Sequence, residues 1–244
     1  MLNFAHRGFS GEYPENTMLA FRKAIDAGAD GIELDVHFSK DGELVVIHDE
    51  YIDRTCNGKG LVCNYTLAEL KNFDASASFA GKFGFNEIPT LREYFELVKP
   101  VDGLITNIEL KTGILEYPGI EKAVNDMIIE FDLEDRIIIS SFNHLSVKRF
   151  KEINPKIKCG FLESSCIINF GSYTKANNTE CVHPFHRTLN EDYIKEIKAN
   201  SIEINTWTVN TEEDIKRLYA LGVDSIIGNF PDRAKKVIDF LNKT

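Results

Sequence analysis

The sequence is short of everything that would tie a chain to a polyanion or a bilayer. Among its 244 residues Lys and Arg total 28 against 38 Asp and Glu, a formal net charge of −10. That sign argues against nucleic acid or an anionic membrane as the main partner, since both select for a basic surface. A local basic site for an anionic small molecule stays compatible with it. No apolar run approaches the ~18 residues that a membrane span requires. The start, Met1-Leu2-Asn3-Phe4-Ala5, has no basic lead and is broken at once by His6-Arg7, so no secretory signal is expected. The five cysteines, at 56, 63, 159, 166 and 181, form no CxxC pair. Their odd number points to free thiols in a reducing, cytoplasmic setting, with buried packing as the default role, and gives Cys56 and Cys63 little weight as metal ligands.

What is there is strand and helix in alternation. Leu2 to Ala5 is a short apolar strand. Pro14-Glu15-Asn16-Thr17 then opens a helix with an apolar stripe at Ala20, Phe21, Ala24 and Ile25 and a stop at Gly28. Gly31 to Phe38 alternates as a strand, and Lys40-Asp41-Gly42 turns it into a second strand from Glu43 to Ile47. After Pro89, strands are expected at 104–110, 136–140, 157–162, 180–183, 202–207 and 224–228. Helices are expected to begin near 90, 119, 144, 164, 190, 211 and 231. Residues 50–88 break this rhythm. They are rich in Gly, Asn, Ser and Lys, carry Phe73, Phe79, Phe83 and Phe85, and hold one short helical pattern near Thr66 to Lys71. They read as an insertion subdomain within a single domain spanning 1–244.

Repeated βα units leave an open doubly wound sheet or a closed barrel. His6-Arg7-Gly8 stands where a Gly-rich phosphate fingerprint would follow the first strand, which disfavours the dinucleotide fold and favours the barrel. In a barrel the carboxyl ends of the strands hold the active site.

Polar residues then stand out at those ends. Glu33 and Asp35 sit two apart in Gly31-Ile32-Glu33-Leu34-Asp35-Val36, so both carboxylates share one face of the strand while Ile32, Leu34 and Val36 take the other. Two such groups repel unless a cation lies between them, and a hard divalent ion is the economical partner for oxygen ligands. Glu109 and Lys111 repeat the device in Asn107-Ile108-Glu109-Leu110-Lys111. Glu109 could complete a three-carboxylate site and Lys111 neutralise a substrate anion, or the two could simply pair with each other. His6 and His48 each end a strand, and imidazole titrates in the range that suits an acid/base pair. Arg7 offers a planar fork matched to phosphate oxygens. Together these groups suit phosphoryl chemistry better than acyl transfer. His37 is taken as out of phase with Glu33 and Asp35, hence facing away from the site. His144 is placed at a helix start, His183 in reach of the pocket, and His186 less so. Trp207, the only tryptophan, is a candidate apolar wall for substrate, with core packing as the alternative.

Taken in order, several segments resemble the glycerophosphodiester phosphodiesterase family. They are Ala5-His6-Arg7-Gly8, Pro14-Glu15-Asn16-Thr17, Gly31-Ile32-Glu33-Leu34-Asp35-Val36, Lys40-Asp41-Gly42, His48-Asp49, Asp53-Arg54-Thr55, Ile88-Pro89-Thr90-Leu91, Ile108-Glu109-Leu110-Lys111, Ser140-Ser141-Phe142 and Trp207-Thr208-Val209-Asn210. The resemblance implies a (β/α)8 TIM-type barrel with a small insertion after the second barrel strand region, and hydrolysis of glycerophosphodiesters to sn-glycerol 3-phosphate and an alcohol. It implies His6 and His48 as the acid/base pair, and Glu33, Asp35 and Glu109 as holders of one divalent cation, magnesium, calcium or manganese. Arg7 and Lys111 would hold phosphate, with Trp207 near the glycerol end. One departure is Gly228-Asn229-Phe230 before Pro231-Asp232, where the family often has Thr-Asp or Thr-Asn. A phospholipase acting on lysolipid or intact lipid and a non-catalytic binding barrel are the rival readings. No pattern sets an oligomeric state.

Overall fold

The computed structural model describes residues 1–243. Eight parallel strands close on themselves: β1 (Leu2–His6), β2 (Gly31–Phe38), β4 (Ile105–Leu110), β5 (Ile137–Ser141), β6 (Lys158–Glu163), β7 (Cys181–Pro184), β8 (Glu203–Trp207) and β9 (Ser225–Gly228). Pairing of β1 with both β9 and β2 seals the ring. The remaining strand, β3 (Leu44–Val46), folds back antiparallel on the end of β2, as the Lys40-Asp41-Gly42 turn predicts.

Helices cover the outside: α1 (Met18–Asp26), α3 (Leu91–Val98), α4 (Ile120–Phe131), α5 (His144–Ile153), α6 (Phe170–Ala176), α7 (Glu191–Ala199), α8 (Glu212–Leu221) and α9 (Pro231–Leu241), with a short α2 (Leu67–Leu70) in the insertion. Helix α1 begins where Thr17 accepts from the Ala20 amide, and it buries Ala20, Phe21 and Ala24 against the sheet. Helix α3 begins with a full capping box between Thr90 and Glu93. The layer between strands and helices is the main core, and Ile32, Leu34 and Val36 of β2 lie in it with no exposed surface. Burying each such side chain contributes about 1.5–3 kcal/mol.

Residues 50–88 carry a hydrophobic cluster of their own. Ile52, Val62, Leu70 and Ile88 pack there with Val45 and Ile47, so the segment is anchored on β3. Phe83 meets Tyr13 with ring centroids 5.4 Å apart, which pins the segment to the β1–α1 loop as well. The helix expected near 164 begins six residues later, at Phe170. The Glu163 side chain accepts from the amides of Ser164 and Ser165, so the chain turns there before the helix can start.

Candidate active site

Strand register assembles the site at the carboxyl rim. His6 of β1 lies beside Glu33 of β2, and Asp35 of β2 lies beside Glu109 of β4. One carboxylate oxygen from each of Glu33, Asp35 and Glu109 falls within 4.8 Å of the others. All three residues are buried, Asp35 completely. The Asp35 Oδ1 atom accepts no hydrogen bond, while its Oδ2 accepts from Asn16 Nδ2 at 2.8 Å. Burial, followed by the charges of Asp35 and Glu109, drives the Glu33 carboxyl well above its ordinary range. Glu109 is also raised by burial, against the pull of Lys111. Asp35 goes the other way: burial is outweighed by Arg7 and then Lys111, which hold its carboxyl below its usual range. Crowded carboxylates with a buried oxygen that accepts no hydrogen bond suit a hard divalent cation. The residues present therefore fit such an ion.

Cationic and imidazole groups bracket this cluster. After His6 the chain makes a left-handed step at Arg7, φ +54°, which aims the Arg7 amide at Glu33 Oε2, 2.9 Å away. Gly8 follows at φ +76°, and a Cβ there would sit 2.8 Å from the Ala20 carbonyl carbon, so only glycine lets α1 approach this turn. The Arg7 guanidinium reaches Asp35 at 3.5 Å and donates to Glu15 at 2.9 Å. On the β4 side Lys111 Nζ donates to Glu109 Oε1 at 2.8 Å, lies 3.8 Å from Asp35 Oδ1, and is 3.2 Å from His48 Nε2. His6 thus enters from β1 and His48 from the β3–β4 side, with the carboxylates between. His6, Arg7, Glu33, His48, Glu109 and Trp207 line one cavity together with Asn107, Phe142 and Leu162.

Each imidazole is held at Nδ1. His6 Nδ1 is 2.7 Å from Asn229 Oδ1, and since an amide oxygen only accepts, the ring proton sits on Nδ1 and leaves Nε2 unprotonated, 4.0 Å from Glu33 Oε2. Burial, then Arg7, lowers the His6 pKa to about 4. His48 Nδ1 is 2.5 Å from Asp49 Oδ1. Asp49 in turn accepts from Arg54 Nε at 2.6 Å, and Arg54 donates to Glu15 at 2.7 and 2.9 Å. Glu15 thereby links Arg7 to Arg54, and a continuous chain of ion pairs runs from the Arg7 guanidinium to His48.

Those linking residues, Glu15, Asn16, Asp49, Arg54 and Asn229, carry no role in the sequence reading. The available signal was position: each is next to, or within a few residues of, a motif residue already singled out. Asn229 lies in the one stretch that departs from the family pattern, yet it supplies the His6 contact.

His37 requires a correction. Positions 33, 35 and 37 alternate onto the same side of β2, so His37 is in phase with the carboxylates and not opposed to them. It is fully buried, donating from Nε2 to the His48 carbonyl at 3.1 Å and accepting at Nδ1 from Tyr117 Oη at 3.0 Å, and so props up the backbone that carries His48. His183 lies inside the barrel, off the pocket, bonded to Asn205 Nδ2 at 3.2 Å. His144 starts α5, stacked on Phe161, and His186 sits beside Asp214. Trp207 is at the pocket wall, with its Nε1 donating to the His183 carbonyl at 2.7 Å. All five cysteines are free thiols.

A closed parallel barrel with acids, imidazoles and fixed cations gathered at its carboxyl rim defines the class: a barrel enzyme built to act on an anionic centre. The sequence profile of the glycerophosphoryl diester phosphodiesterase family matches residues 6–233. The chain belongs to that family and is an enzyme of it. It is 46% identical to the glycerophosphodiester phosphodiesterase of Bacillus altitudinis over 236 residues, 96% of each chain. Its identity to the enzyme of that name from Caldanaerobacter subterraneus is 45% over 231 residues, 95% of each. Among solved structures, a phosphodiesterase of Oleispira antarctica in complex with the product sn-glycerol-3-phosphate superposes with a TM-score of 0.88 at 29% identity, covering 98% of this chain and 97% of that one.

Proposed function

We propose that this enzyme hydrolyses glycerophosphodiesters to sn-glycerol 3-phosphate and an alcohol, using one divalent cation and a pair of histidines. The observation that carries the reading is the buried Glu33, Asp35 and Glu109 cluster with an Asp35 oxygen that accepts no hydrogen bond, bracketed by His6 with Arg7 and by His48 with Lys111. Glu33, Asp35 and Glu109 would hold the ion, which when bound supplies Lewis-acid polarisation of the phosphoryl group. The product bound in the Oleispira structure is what this chemistry yields, and the likeness to it covers 98% of this chain.

The protein's own groups have separable tasks. Arg7 and Lys111 neutralise the nonbridging phosphate oxygens, whose charge grows in the transition state. Both now pair with the carboxylates, and a phosphate arriving between them would share those contacts. One imidazole takes the proton of the attacking oxygen, a water or the substrate's own glycerol hydroxyl, and the other gives a proton to the departing alcohol; where the glycerol hydroxyl attacks, the cyclic phosphate it forms is opened by water, with the two rings exchanging roles. Asn229 and Asp49 fix the two rings at Nδ1, leaving His6 Nε2 toward Glu33 and His48 Nε2 toward Lys111. Trp207 forms the apolar wall against which the glycerol carbons lie.

The test is direct. Purified protein is given glycerophosphocholine and glycerophosphoethanolamine, with and without chelator, and release of sn-glycerol 3-phosphate is followed. Activity that chelator abolishes and a divalent ion restores supports the reading. Full activity in chelator sinks its metal component, and no release under any ion sinks it entirely.

A further inference from the structure

A phosphodiester has two arms, and the site opens into two lobes. The lobe containing Trp207 is the one described above. A second, of about 280 Å³, is lined by Glu50, Glu109, Leu110, Lys111, Gly113, Ile114, Ser141 and Phe142. The two share Glu109 and Phe142, so a substrate centred on the carboxylate cluster can extend into both. Resting on the hydrolase reading above, we infer that the second lobe receives the departing alcohol and selects a cationic one, of the choline or ethanolamine kind.

Charge and aromatic surface carry this. Glu50 is half-buried and, among the described residues, its carboxylate accepts no hydrogen bond and joins no ion pair. The other charged groups on the wall cancel, since Lys111 Nζ donates to Glu109 at 2.8 Å. Glu50 is thus the uncompensated charge of the lobe, and it is negative. Phe142 is 44% exposed at the boundary, held edge-on against Trp207 at 5.5 Å, and Ile114 is 78% exposed at the mouth. An aromatic ring beside a carboxylate, with apolar walls around, is suited to an ammonium group carrying carbon substituents. A neutral polyol gains no charge attraction from Glu50, and an anionic headgroup meets repulsion from it.

The test compares kcat/KM for glycerophosphocholine, glycerophosphoethanolamine and glycerophosphoglycerol. The wild type is expected to favour the two cationic substrates about threefold to tenfold. Glu50→Gln should shrink that ratio through a rise in KM for the cationic pair, with a smaller effect on glycerophosphoglycerol. Gly113→Lys places a positive side chain on the same wall; a Cβ there meets nothing within 4 Å, so the fold tolerates it. It should cut the ratio further. If both variants keep the wild-type ratio, or the wild type shows none, the lobe does not select charge and the inference is overturned. If the wild type hydrolyses none of the three, the hydrolase reading itself has failed and takes this one with it.

Discussion

The Asp49 carboxylate lies 2.5 Å from the ring Nδ1 of His48, the residue immediately before it in the chain. Its second oxygen is clamped by Arg54 at 2.6 Å, which with His48 holds the Asp49 carboxyl near pKa 2 despite partial burial. The acid is therefore ionised at any working pH, and it fixes both the tautomer and the orientation of the ring. Asp49→Asn preserves the shape while removing the charge. It is expected to lower kcat by about 10- to 100-fold with little change in KM, as loss of an orienting partner does. Steady-state kinetics decide it: an unchanged kcat would mean that the pair is only structural.

His6→Ala and His48→Ala test the imidazoles themselves. Each should cost about 10²–10⁴ in kcat, the usual worth of a proton-transfer group. Asn229→Ala should fall short of this, because it loosens the His6 ring without removing it. A variant at His6 or His48 with full activity would remove that residue from the chemistry.

The three-carboxylate cluster makes opposite demands with and without an ion. Without one, burial and then crowding by Asp35 and Glu109 drive the Glu33 carboxyl up. Glu33→Gln keeps an acceptor for the Arg7 amide and relieves the crowding. In chelator the variant should be as stable as the wild type or more stable by about 1 kcal/mol. With a divalent ion at 100 times its dissociation constant, the wild type should gain about 2.7 kcal/mol and the variant much less. Melting curves of both proteins across an ion titration provide the comparison. Equal gains by both proteins would place the ion elsewhere.

The barrel and its acidic rim were legible because period and position coincide. In β2 the period of two puts Ile32, Leu34 and Val36 under the helices and leaves Glu33 and Asp35 with no reason to be there except a site. What stayed hidden depends on chain paths. Glu15 lies in a loop and Arg54 in the insertion, and only the fold brings them to 2.7 Å. Asn229 sits just past the last strand, and its partner His6 ends the first, a contact that exists because the barrel closes. His37 was misplaced through its parity along the strand, although the same rule that found Glu33 and Asp35 places it with them.

Inside the barrel, His183 makes the fold sensitive to acid. Its ring fills space that Gly160 leaves open: a Cβ on Gly160 would stand 2.4 Å from His183 Nε2. Nε2 meets Asn205 Nδ2 at 3.2 Å, whereas Nδ1 is buried without a partner. Burial alone lowers its pKa to about 3 from 6.5. The unfolded chain therefore binds a proton here between about pH 6.5 and pH 3 that the folded chain does not. Stability from this group is complete above pH 6.5 and drains away as pH falls through that window, by about 1.4 kcal/mol for each unit. His6 and His37, both lowered to about 4 chiefly by burial, add slopes of the same sign. Urea unfolding of wild type and His183→Gln at pH 7.5 and pH 5 should show a smaller drop for the variant. Equal drops would mean that the ring is protonated in the fold, or that its environment is wetter than its burial implies. Gly160→Ala provides an independent check, since it should cost about 1–3 kcal/mol at either pH by overfilling the same space.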